Sequence, residues 1–155
     1  MPSEEEKNKA LARRFMEARA KVDLNAIELM MATDLISHGI LPGQLPGRED
    51  LKRSIAEIAA TFSNRRRFIE DQVAEADKVV TRYTLGATHD RKEIMGAAPT
   101  GREVTYKAIV IHRISGGKIA EEWGLGTADQ FGPIPSLGDA EEMQVFTVPA
   151  PEAAG

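Results

Sequence analysis

Apolar residues recur at helical spacing in the first third of the chain and shift to strand-like runs in the middle, so helices are predicted first and strands afterwards. Leu11, Phe15, Ala18 and Val22 form one helical stripe. Ser3 and Glu6 stand ahead of it at capping-box spacing, and a first helix is predicted from Glu4 to Lys21. Asp23 is placed to cap a shorter second helix holding Ile27, Met30 and Met31. An extended piece from Asp34 to Ile40 carries His38, and LPGQLPG (41–47) breaks the pattern with two Pro-Gly pairs. Leu51, Ile55, Ile58, Ala59 and Phe62 make the stripe of a third helix starting near Gly47, with Arg48, Lys52 and Glu57 facing water.

Strands are predicted from Phe68 to Ala74 and from Lys78 to His89, joined by a tight turn at EADK (75–78). A Gly- and Pro-containing connection (89–103) leads to VTYKAIVIHRI (104–114), and SGGK (115–118) turns that strand back into IAEEWGL (119–125). The SGG tripeptide fits a three-residue hairpin loop with Gly117 at the left-handed bulge position. Helices followed by an antiparallel meander predict an α+β domain. The domain is read over 1–135 and a Pro-containing tail over 136–155, in which MQVFTV (143–148) is a lone strand or a surface for a partner.

Composition narrows the function. The net charge of -4 gives no general attraction to nucleic acid or an anionic membrane, and Arg65, Arg66 and Arg67 read as a solvated strand entry. There is no cysteine, which removes disulfides and thiolate chemistry. No signal-peptide pattern is visible at the N-terminus, and no apolar run approaches the ~20 residues of a membrane span, so the expected location is the cytoplasm. His38, His89 and His112 show no metal-ligand spacing, and GLG (124–126) lacks the context of a dinucleotide fingerprint; neither metal nor cofactor is expected.

EDQVAEADKVVTRYTLGATHD (70–90), MGAAPTGREV (95–104) and HRISGGKIAEEW (112–123) resemble the SnoaL-like polyketide cyclases, the ester-cyclase group of the NTF2-like superfamily, over about Leu11 to Pro135. The resemblance implies a cone-shaped α+β barrel, a curved antiparallel sheet wrapped around three N-terminal helices, with a deep apolar pocket between them. It also implies homodimers paired through the outer sheet face. The implied reaction is a cofactor-free aldol closure of a polyketide ester, run by one acidic residue. Relatives are cofactor-independent hydroxylases, isomerases or epoxide hydrolases, so the fold alone selects no reaction. The catalytic aspartate implied directly after the hairpin tryptophan is replaced by Gly124, and the implied partner histidine by Val110. The stretch from Trp123 to QFG (130–132) is also shorter than the resemblance implies.

With a three-residue loop, alternation places Tyr106, Ala108, Val110, His112, Ala120, Glu122 and Gly124 on one hairpin face, taken as the pocket wall. His112 and Glu122 are then diagonal neighbours about 7–8 Å apart at their α-carbons, a candidate acid–base pair. The alternatives are a histidine simply bonded to a neighbour and a carboxylate solvated at the rim. His38, which the resemblance turns toward the cavity, is the third catalytic candidate, against a structural hydrogen bond to Asp34 or backbone. His89 matches the Thr-His pair of the resemblance and either contacts ligand or ties down the long connection. Phe15, Met16, Met30, Met31, Tyr83 and Met95 are candidates for an adaptable lining or for plain core, and Tyr106 and Val110 join the wall. Ile109, Ile111, Trp123 and Leu125 fall on the other face as an apolar patch, which predicts a homodimer.

Three functions stay open. The first is a cofactor-independent enzyme moving protons on a hydrophobic, polyketide-like small molecule through His112, Glu122 or His38. The second is a non-catalytic small-molecule binder of the same fold, and the third a structural dimerisation module.

Overall fold

A computed structural model describes residues 1–39, 41, 43–128 and 132–133. Helix α1 spans Glu4–Lys21, and both hydrogen bonds of the capping box between Ser3 and Glu6 are made. It ends where Val22 takes a left-handed conformation, φ 55°, with its N–H returned to the carbonyls of Ala18 and Arg19. Asp23 caps α2 (Leu24–Met30) through the amide of Ala26. The chain passes directly into strand β1 (Met31–Ser37), earlier than the stretch 34–40 predicts, and His38 lies just beyond its end. Helix α3 runs Arg48–Thr61, and Phe62, assigned by its spacing to that helix, is instead the first residue of β2 (Phe62–Glu75).

Strands β3 (Lys78–His89), β4 (Glu103–Ser115) and β5 (Lys118–Ala128) complete the meander, and a two-residue β6 (Gly132–Pro133) pairs with β5. The sheet order is β1-β5-β4-β3-β2; the long pairs are antiparallel, whereas β1 joins β5 in parallel. The sheet is curved, but β1 and β2 are its two free ends, so among the described residues it is an unclosed sheet over the helices and not a complete barrel. Leu11, Phe15, Ile27, Met31, Leu51, Val79 and Ile119 are among the buried side chains of the main core, between the helices and the sheet end near the hairpin turn. A smaller cluster of Met16, Tyr83, Ala108 and Val110 continues along the inner face.

The β4–β5 turn differs from the three-residue prediction. Ser115 pairs with Lys118, so the loop is Gly116-Gly117, with φ of 57° and 72°. Two consecutive residues at positive φ are what a type I′ turn needs, and glycine reaches that region without a Cβ penalty. A bulge between Arg113 and Ile114 then moves the register by one, and His112 stands directly opposite Glu122, not diagonal to it. Val110 faces Gly124 in the next pair on the same side of the sheet. The tail 136–155, including the strand expected at 143–148, lies outside the described residues.

Candidate functional site

Beyond the smaller cluster, a cavity of about 140 Å³ separates the inner sheet face from α3 and the connection before β4. The register builds its wall in rows. Ile69, Tyr83, Ala108 and Gly126 stand side by side across four strands, and Arg67, Leu85, Tyr106 and Ala128 form the following row. Glu122, Tyr83, Met95, Tyr106 and Val110, all candidates from the sequence, line the cavity, as does Gly124. Gly126 leaves the space that the Tyr106 ring fills, since a Cβ there would meet the ring at 2.4 Å. Gly124 has no such constraint; the nearest atom to a Cβ is the Ile109 carbonyl at 4.0 Å.

Glu122 sits on β5, buried, and its Oε2 accepts from His112 Nε2 at 2.6 Å and from Arg19 Nη1 at 2.7 Å. A carboxylate oxygen only accepts, so Nε2 carries the histidine's proton. The other His112 nitrogen, Nδ1, is buried with no hydrogen-bond partner among the described residues. Phe15 packs edge-on against the imidazole at 5.4 Å between ring centroids, and the Arg19 guanidinium lies over the same phenyl ring. Burial alone would raise the Glu122 carboxyl, but the Arg19 charge and the hydrogen bonds from His112 and Arg19 outweigh it and hold the group at about 2. Burial likewise acts to lower the Arg19 guanidinium, and the Glu122 charge prevails and keeps it above its ordinary value. Glu122 is therefore ionised across the physiological range. Its second oxygen, Oε1, has no hydrogen bond to any described residue.

That depressed value makes stability depend on acid. The ordinary value for the carboxyl is 4.5 and the folded value about 2, so the contribution is fully present above 4.5 and lost as pH falls toward 2. Denaturant titrations are expected to show about 3 kcal/mol of acid-labile stability in that window from this group. The loss should be shallower in Glu122→Gln, which has no proton to take up.

Two cations lie on the wall beside this carboxylate. Arg19 is one helical turn beyond Phe15, on the stripe that packs inward. Arg67, expected to be a solvated residue of a basic run, is half-buried and shares the inward alternation of Ile69. Its Cζ is 4.8 Å from the Tyr83 ring centroid, and among the described residues its Nη1 reaches only the Met16 carbonyl at 3.4 Å and the Met16 sulfur at 3.8 Å. Burial lowers Arg67 to about 10, which leaves it charged at neutral pH. Burial raises the Tyr106 phenol well above its usual value, so it stays a neutral donor.

Other candidates lie elsewhere. His112 is fully buried behind Glu122 and does not line the cavity. His38 is not in the cavity at all: it stacks on Trp123 at 5.1 Å and donates to Glu121 Oε2 at 2.7 Å. Neither Asp34 nor the cavity holds it, because β1 ends before it and its neighbours come from the outer face of β5. His89 is buried, its Nε2 2.7 Å from the Lys92 carbonyl, which ties down the connection after β3. Phe15 and Met31 belong to the main core, with Met30 packed against it, and none of the three reaches the cavity. Among the described residues no cluster of three or more acidic or histidine side chains could hold a metal ion. No helix among them is long and apolar enough to cross a membrane.

Solved structures share this architecture. IdmH from Streptomyces antibioticus, a presumptive polyketide cyclase, is 27% identical over 85% of this chain and 99% of its own, with a TM-score of 0.67. AclR from Streptomyces galilaeus, a presumptive hydroxylase, is 26% identical over 77% of this chain and 88% of its own, also at 0.67. A SnoaL-like protein from Jannaschia sp. CCS1 superimposes at 0.71 with 18% identity over 84% and 91% of the two chains, a likeness of fold alone. No curated protein matches the chain. The sequence pattern of the SnoaL-like polyketide cyclases matches residues 9–132, most of the length, and the chain belongs to that family.

Proposed function

We propose that this protein is a cofactor-independent enzyme of cyclase, isomerase or hydroxylase type, acting by acid–base chemistry on a hydrophobic small molecule held in the cavity. The observation that carries this reading is the Glu122 carboxylate on the cavity wall, fixed through one oxygen by Arg19 and His112 and with no partner for the other among the described residues. In the proposed step a substrate C–H bond breaks, its proton goes to Oε1, and the electron pair moves onto the adjacent carbonyl oxygen to form an enolate. The enolate carbon then attacks a second carbonyl, or is reprotonated elsewhere, and Glu122 returns the proton. Arg19 and His112 position the carboxylate, and His112 lies off the cavity wall.

A carboxylate held at about 2 is always ready to accept but is a weak base. The chemistry is thereby restricted to carbons that are already acidic, such as one flanked by two carbonyls. The same restraint on basicity, together with Gly124 in place of an aspartate, supports the second reading, a binder without turnover. Solvent deuterium exchange at the acidic carbon of a cyclic β-keto ester, followed by NMR, separates them. Exchange above the buffer rate is expected of the enzyme, and exchange at the buffer rate despite binding identifies the binder.

The reading also pairs two copies through the outer sheet face, where Ile109 is 47% and Leu125 50% exposed, near Ile111 and Trp123. Light scattering should give twice the mass of one chain; a single-chain mass would remove that part of the proposal.

A further inference from the structure

We infer that Arg67 receives an anionic oxygen of the ligand, so that the substrate class is a small apolar ring that carries a carboxylate or yields an enolate, and not a hydrocarbon. The inference rests on the reading of this cavity as a small-molecule site and names what the site takes.

Charge and geometry carry it. Of the charged side chains lining the cavity, Arg19 and Glu122 form an ion pair and offset each other's charge, which leaves Arg67 as the surplus cation on a chain whose net charge is -4. No carboxylate among the described residues lies within ion-pair distance of Arg67. Its Nε, like that of Arg19, is buried without a hydrogen-bond partner among the described residues, and its other contacts among them are a carbonyl and a sulfur at the limit of hydrogen-bond range and the face of Tyr83. A guanidinium has five donors in a planar fork suited to a carboxylate, and leaving them unmet away from water is costly. The Tyr83 ring lies against the guanidinium, and Tyr106, 6.2 Å from Tyr83 between ring centroids, brings a neutral phenol to the same wall.

Volume limits the rest of the ligand. At about 140 Å³ the cavity is close to the ~150 Å³ of a cavity that holds benzene, and below the ~300 Å³ at which drug-sized pockets begin. One ring is enclosed, and anything larger extends toward the open side.

Calorimetric titration of the full chain near neutral pH with benzoate, benzamide and dimedone, a cyclic diketone that ionises to an enolate, tests the inference. At least one anion is expected to bind about tenfold or more tightly than benzamide, the worth of a charge-assisted hydrogen bond. Preference for benzoate alone assigns the subsite to a carboxylate, and preference for dimedone alone to the reacting oxygen. Arg67→Met should bring the favoured anion down to the level of benzamide while benzamide itself changes by less than about twofold, and Arg67→Lys should keep part of the preference. Thermal unfolding checks that each variant is folded, and the lysine and Arg67→Gln variants carry the test if the methionine variant is not. Equal affinities in the wild type, a preference that survives in folded Arg67→Met or Arg67→Gln, or no binding of any probe at millimolar concentration overturns the inference. Glu122→Gln should retain the anion preference. If wild-type protein shows the preference but no proton exchange, the proton-transfer reading fails and this one stands.

Discussion

Arg19→Met is expected to destabilise the protein by about 3–5 kcal/mol, the usual consequence of removing one partner of a buried ion pair. Methionine keeps an apolar stem in place of the arginine's and loses the guanidinium over the Phe15 ring, so the loss is mainly electrostatic. It strands Glu122, 4% exposed, with His112 as its one remaining donor among the described residues. For a chain of this length the loss corresponds to a fall of roughly 6–20 °C in Tm. Glu122→Gln is milder, because an amide oxygen still accepts from Arg19 and His112. The double variant should be more stable than the sum of the two single losses, since neither leaves a bare charge behind; a coupling of about 1–3 kcal/mol is expected. Thermal and denaturant unfolding of the four proteins closes the cycle. Strict additivity would mean that the 2.7 Å contact carries no net stabilisation.

The second large effect is on turnover. Glu122→Gln is expected to lower proton exchange at the substrate carbon by about a hundred- to ten-thousandfold, the range that one positioned acid–base group supplies. The amide keeps the shape of the side chain and its hydrogen bonds, so binding of the keto ester should change little and the loss should fall on the rate. His112→Asn should have a smaller effect, because Arg19 still holds Oε2 and the imidazole is not on the cavity wall. If His112→Asn abolishes exchange and Glu122→Gln does not, the proton is carried by the imidazole and the roles assigned here are reversed.

Much of the fold is legible in the pattern of apolar residues because its strongest elements are locally determined. Helix α1 begins at its capping box and keeps one stripe to its end, and β3 covers the stretch that its alternation marks. The hairpin is more instructive. The Gly116-Gly117 turn is one residue shorter than the expected loop, which by itself would change the pairing of the whole strand. The bulge at Arg113/Ile114 reverses that change, so His112 and Glu122 share a face after all and stand closer than a diagonal pair. A bulge leaves no compositional mark in this stretch, and only the paired strands reveal it.

The cations were hidden for a different reason. An arginine reads as solvent-facing by type, yet Arg19 lies one turn beyond Phe15 and Arg67 alternates with Ile69, so position contradicted type at both places. Periodicity held to its end, regardless of charge, would have placed both inward. His38 had no such signal. Its stacking on Trp123 follows from β1 pairing with β5 in parallel, a long-range contact that no local pattern announces.

The measurement that tests the central claim most directly is the pH dependence of enzyme-catalysed exchange, corrected for the buffer rate. With Glu122 as the proton acceptor, already ionised far below neutrality, the rate should stay level from about pH 8 down to about pH 5, short of the acid loss of stability. A rate that falls by half between about pH 6 and 7, where a histidine ordinarily titrates, would put the proton on an imidazole and contradict the account.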